Sequence, residues 1–277
     1  MTRIDAHQHF WRLLDRAGNW PPPSLHAIYR DFLPDELAPR LRAHGIDGTV
    51  LVQSLPTLAD TAFLLQLARE NPFVLGVVGW ADLKAPDAAR QVAALAADPA
   101  LKGLRPMLQD LDDTRWIDDP TLGPAIDAML RAGLCFDALV LPRHLPALLA
   151  FAQRYPALPI VIDHAAKPPI ARGEYSAWAA DMEQLAELPQ VSCKLSGLVT
   201  EAGPGWSPAD LQPYTALVLA AFGPRRVIWG SDWPVVNLAT DYAGWLAASE
   251  RLLAHLDKPA RARVFGLNAI DFYRLEV

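Results

Sequence analysis

Apolar positions along the chain fall into two alternating patterns. Short, near-continuous apolar runs mark eight candidate strands, at 3–9, 48–53, 74–81, 102–107, 134–140, 160–164, 191–196 and 227–231. Runs with no polar alternation suit parallel strands covered by helices on one face and packed side chains on the other. Between them lie amphipathic segments. Residues 60–70 set Phe63, Leu64, Leu67 and Ala68 on one helical face, and 86–97 repeat Ala and Val at the same period with Asp87 and Arg90 outside. Segments 145–154, 176–187, 208–222 and 242–255 follow suit, several opening on Asp, Ser or Pro as helices do.

Strand and helix in alternation imply a parallel sheet with right-handed crossovers. Eight units predict closure into a (β/α)8 TIM barrel. The rival is an open doubly wound sheet, but no GxGxxG follows the first strand. With 277 residues the chain fits one barrel domain, 1–277, since such barrels need about 250. One connection has no period: residues 10–33 carry Trp11, Trp20, Pro21, Pro22, Pro23, His26, Tyr29 and Arg30. A loop so long and aromatic reads as an ordered flap over the barrel mouth, or more plainly as a surface loop pinned by tryptophans.

Composition narrows the classes. Hydrophobic residues make up 52% and charged residues 20%, enough for a large core. A net charge of −6 without a basic stripe argues against nucleic acid. Cys135 and Cys193 lie in apolar runs and read as buried free thiols. No export-type N-terminus and no uncharged apolar run long enough to span a membrane are visible. The expectation is a cytoplasmic monomer or homodimer acting on a small molecule.

Candidate chemistry gathers where strands end. The first closes on Asp5-Ala6-His7-Gln8-His9, and side chains two apart share a face. His7 and His9 therefore point inward together, half of a metal site; a hydrogen-bonded core histidine is the plainer reading. The sixth run ends Asp163-His164. Alternation admits one of the two to the interior, and His164 is the expected one, with Asp163 as an orienting partner or cap. The eighth ends with Asp232 between Trp229 and Trp233, where burial should raise the carboxyl pKa toward that of a general base unless a cation compensates. Arg105, Lys167, Lys194, Ser196 and Gln53 are each open between substrate contact and rim ion pair. His44, His144 and His255 sit at helix ends.

The segments His7-Gln8-His9, Lys102-Gly103-Leu104-Arg105, Asp163-His164 with Lys167-Pro168, Lys194-Leu195-Ser196-Gly197 and Gly230-Ser231-Asp232-Trp233-Pro234 together resemble the amidohydrolase superfamily, from residue 4 to the terminal 268–273 helix. The resemblance is to the lactonase-type branch, which includes L-fuconolactonases, L-rhamnonolactonases and 2-pyrone-4,6-dicarboxylate lactonase. It implies a metal or water site of His7, His9, His164 and Asp232, with Asp232 and His164 catalytic. Arg105, Lys167, Tyr29, Arg30, Gln53 and Trp233 are the substrate-binding candidates. The fifth run lacks a terminal His and the fourth ends in Arg105, which departs from the two-metal pattern. One divalent ion, zinc first among candidates, or metal-independent hydrolysis is then expected. The implied reaction opens a sugar lactone, L-fuconolactone or a related aldonolactone. A metal-dependent decarboxylase of an unsaturated or aromatic acid and a non-catalytic ligand-binding barrel are the alternatives.

Overall fold

The computed structural model describes residues 2–16 and 18–277. Its elements run β1 (Ile4–Gln8), α1 (Pro34–His44), β2 (Gly48–Val52), α2 (Leu58–Glu70), β3 (Val74–Gly79), α3 (Ala88–Leu95), β4 (Leu101–Leu104) and α4 (Gly123–Ala132). There follow β5 (Cys135–Ala138), α5 (Leu145–Arg154), β6 (Ile160–Ile162), α6 (Ser176–Ala186), β7 (Val191–Leu195), α7 (Leu198–Glu201), α8 (Pro208–Phe222), β8 (Val227–Trp229), α9 (Tyr242–Leu252), α10 (Lys258–Ala262) and α11 (Asn268–Tyr273). All eight strands are parallel neighbours in chain order. The seam between β8 and β1 closes just past the strand ends, where Asp232 N donates to His7 O and His9 N donates to Trp233 O, both at 2.8 Å. This is a (β/α)8 barrel.

Two apolar clusters divide its interior. Ile4, Ala6, Val50, Val52, Val78, Cys135, Val161 and Ile228 form the inner plug, joined from below by Tyr273 of α11. The larger cluster lies between strands and helices, with Leu51, Val77, Leu104, Phe136, Leu195 and Trp229 pointing outward into it. Each strand thus buries both faces, which is why its residues read as an unbroken apolar run. Both cysteines are buried and unpaired. Among the described residues, no helix is long and apolar enough to cross a membrane.

Most strands stop short of the expected ends. The sixth run was expected over 160–164, but β6 ends at Ile162; the eighth, expected to 231, ends at Trp229. His164 and Asp232, which follow β6 and β8, lie off the ladder and line the barrel mouth. Helices at 34–44 and 123–132 went unexpected: the first carries Pro39 within it and the second opens on Gly-Pro.

Candidate active site

The mouth of the barrel holds a cavity of about 490 Å³, within the range that encloses small-molecule ligands. On its wall one carboxylate oxygen meets three imidazoles. Asp232 Oδ1 lies 3.3 Å from His9 Nε2, 3.8 Å from His7 Nε2 and 4.0 Å from His164 Nε2. All four residues are buried. Side chains from β1, the turn after β6 and the turn after β8 are thereby brought together.

Local backbone geometry explains how they get there. The β1–β2 register shifts between Asp5 and Gln8. Asp5 and His7, two apart, consequently serve different layers. Asp5 accepts from Tyr242 Oη of α9 at 3.2 Å and from Ser231 N at 2.8 Å, while His7 reaches inward. After β6 the chain turns left-handed for four residues, His164, Ala165, Ala166 and Lys167, with φ of 53°, 50°, 61° and 50°. Strand alternation therefore does not apply to Asp163 and His164, and both are buried in the interior. Asp232 is likewise left-handed, at φ 57°. An L-residue pays about 1–2 kcal/mol for that conformation, so these turns persist only because the surrounding contacts impose them.

Below the imidazoles lies a charged network. Lys194 Nζ is fully buried and sits 2.6 Å from Asp137 Oδ2, 3.0 Å from Asp163 Oδ1 and 3.1 Å from His7 Nδ1. Tyr273 Oη donates to Asp137 Oδ2 at 2.7 Å. Arg105 Nη1 lies 3.2 Å from Asp163 Oδ2 and 3.3 Å from His7 Nε2, and its Nη2 donates to Gln53 O. Lys194 is thus an internal tie and does not reach the cavity; Arg105 both lines the cavity and braces Asp163. Burial pushes the Asp163 carboxyl up, but Lys194, His7 and Arg105 outweigh it and hold it well below the usual range.

The same competition sets the charge state above. Burial drives the three imidazoles down, His7 furthest and His164 to about 4. Burial acts oppositely on Asp232, but the neighbouring His164, His9 and His7 overcome it, leaving the carboxyl well below its ordinary range. The sequence-based expectation of a raised Asp232 pKa is therefore corrected: the imidazoles supply the compensation. Near neutral pH the site offers neutral imidazoles around an ionised carboxylate.

That donor set suits a divalent cation. His9 Nδ1 lies 2.7 Å from Val52 O, which can only accept, so Nδ1 carries the ring proton. Nε2 of the neutral ring then presents a lone pair to a carboxylate oxygen 3.3 Å away. Two lone pairs at that distance repel unless a cation lies between. The ligand atoms of His7, His9 and Asp232 lie within 4.8 Å of one another, as do those of His7, Asp163 and His164.

Four other candidates stand apart from the cavity wall. Tyr29 is 42% exposed, and the Arg30 guanidinium clasps Glu36 at 2.6 and 2.7 Å. Trp233 is completely buried against Phe10 and Phe32, because the left-handed Asp232 turns the next side chain into the core. Gln53 is a strut, its Nε2 donating to Arg105 O at 2.8 Å. Lys167 does line the cavity, together with Glu201, Thr200, Ser54, Met107 and Gln109.

The flap reaches the cavity through Trp20, one of its expected tryptophans, and through Asn19, but not through Tyr29 or Arg30. Asn19 and Trp20 line the cavity, whereas Trp11, Ile28 and Phe32 are core. Arg16, 2% exposed, fastens the flap: Nη1 donates to Trp20 O at 2.7 Å, Nη2 donates to Ser54 Oγ, and the guanidinium stacks over Trp11 and Trp20. Asp137, Glu201 and Arg16 were missed. Asp137 had a readable signal, an acid inside the apolar run Cys135–Ala138.

One glycine sets the placement of His164, whose Nδ1 lies 2.9 Å from Ser196 Oγ. Gly197 has φ 63°, and a Cβ there would come within 2.5 Å of His164 Nδ1. Gly197→Ala should displace the imidazole and cut kcat about a hundredfold, the cost of roughly an ångström's misplacement. Wild-type turnover from a folded variant would show that His164 needs no fixed position.

Comparison with known proteins identifies the family. The amidohydrolase family model matches residues 4–275. A protein of Burkholderia ambifaria called L-fucono-1,5-lactonase is 59% identical over 99% of this chain and 96% of its own length. One of the same name from Burkholderia multivorans is 38% identical, again over 99% and 96%. A crystal structure of a B. multivorans amidohydrolase with bound zinc, 38% identical, superimposes with a TM-score of 0.92 across the full length of both chains. The chain belongs to the amidohydrolase family.

Proposed function

We propose that the protein hydrolyses a sugar lactone to its aldonic acid, with L-fucono-1,5-lactone or a close relative as substrate. The observation that carries this reading is full-length similarity, at 59% identity, to a protein called L-fucono-1,5-lactonase. The site is chemically suited to it. Asp232, ionised and facing the cavity, takes a proton from a water that attacks the lactone carbonyl carbon. As the ring C–O bond breaks, the same carboxyl returns the proton to the departing ring oxygen. The net change is addition of one water. Arg105 and His164, both on the cavity wall, are placed to bind the carbonyl side of the substrate, and Lys167 and Trp20 its hydroxyl-bearing face.

A divalent ion held by His7, His9, His164 and Asp232 would supply Lewis-acid polarisation of the carbonyl. We assign zinc, which favours nitrogen donors with a carboxylate. Asp163 and Lys194 hold the His7 ring from its Nδ1 side. The decarboxylase and non-catalytic readings lose ground because the long, high-identity matches are to lactonases.

The test is a panel of aldonolactones with a pH dye, run with and without a chelator. Acid release should be fastest with six-carbon L-sugar 1,5-lactones and should fall at least about tenfold after chelation, recovering with zinc. A panel with no turnover under any metal condition rejects the lactonase reading; turnover indifferent to chelation rejects the metal.

A further inference from the structure

Glu201 closes α7, and Lys167 closes the left-handed turn after β6; both line the cavity that holds Asp232. Neighbouring strands therefore deliver one carboxylate and one ammonium to the same mouth. Elsewhere at this end of the barrel buried charges are matched. Asp137 has Lys194, and Asp163 has Lys194 and Arg105. Among the described residues, neither the Glu201 carboxylate nor the Lys167 ammonium makes an ion pair or side-chain hydrogen bond; they act on each other only through space. Burial raises the Glu201 pKa, with Lys167 opposing and Asp232 adding to the rise.

A partly buried carboxylate without donors carries a desolvation cost that a ligand can relieve. Vicinal hydroxyls are suited to the gap: one donates to Glu201 while its neighbour accepts from Lys167. A ligand carboxylate is not, since it would face Glu201 beside Asp232. We infer that Glu201, paired with Lys167, is the specificity residue that binds the ring hydroxyls of neutral polyhydroxylated lactones and rejects carboxylated ones. This rests on the sugar-lactone reading and adds the residue that reads the sugar.

The experiment compares wild type with Glu201→Gln, Glu201→Ala and Lys167→Met. It measures kcat and KM on an aldono-1,5-lactone, on analogues lacking single ring hydroxyls and on a carboxylated lactone. Binding of the non-hydrolysable aldonolactam is measured by calorimetry. Each substitution should raise KM about tenfold, the worth of one charge-assisted hydrogen bond, with little change in kcat. For one deoxy analogue wild type and Glu201→Ala should become equal, and Glu201→Gln should narrow the preference over the carboxylated lactone. Unchanged KM and lactam Kd overturn the assignment, as does a loss confined to kcat. Should wild type hydrolyse no sugar lactone, the lactam decides: weaker binding in Glu201→Ala keeps the hydroxyl site while hydrolysis is lost, and no lactam binding at all removes both.

Discussion

Asp232→Asn is expected to lower kcat at least about a hundredfold while leaving the barrel folded, the lower end of what a general base contributes. Asparagine keeps the shape of the side chain and tolerates the left-handed conformation better than most residues, and residue 232 has φ 57°. The backbone bond from residue 232 N to His7 O, at 2.8 Å, is untouched. What disappears is the negative charge at the point where three Nε2 atoms converge. The amide can neither take a proton from water nor return one to the ring oxygen. Stopped assays with the best lactone of the panel, alongside a urea titration, separate this from unfolding. Turnover within a few fold of wild type would leave the proton with some other base.

Lys194→Met should have the largest effect on stability. The substitution preserves length and apolar bulk but leaves Asp137 and Asp163, both fully buried, without their shared cation. Breaking a buried ion pair by removing one partner typically costs about 3–5 kcal/mol, a large share of the roughly 5–15 kcal/mol that holds a domain together. The variant should unfold at markedly lower urea or fail to accumulate. Adding Asp137→Leu removes one of the stranded carboxylates and should restore part of the loss. If Lys194→Met alone unfolds at the wild-type midpoint, the network contributes nothing to folding.

How far the sequence disclosed this design can be followed residue by residue. The barrel was legible because both faces of every strand are buried, which writes itself as apolar runs at regular intervals. His7 and His9 were legible because they sit two apart at a strand end. The turn after β6 was not: alternation assigns Asp163 and His164 to opposite sides, and only a left-handed backbone puts both inside. Nothing in Asp-His-Ala-Ala announces that conformation, since it is imposed by packing. Tyr29, Arg30 and Trp233 misled for a related reason. Aromatic and cationic side chains near a mouth look like substrate contacts, yet here Glu36 claims one and the core another. Asp137 and Lys194 could have been paired in advance, each a charge within an apolar strand that requires a partner. Glu201 and Arg16 carried no such mark, because neither lies within an apolar strand.

The bonds that join the first strand to the last are made by the site's own backbone, His9 to Trp233 and Asp232 to His7. On a ribosome the imidazoles of His7 and His9 emerge more than two hundred residues before the Asp232 carboxylate. No nascent or truncated chain ending ahead of residue 232 can bring all four side chains together, however well its earlier strands have collapsed. Any fluctuation that unzips this edge also disperses the reactive groups, so catalytic competence reports directly on whether the ring of strands is shut.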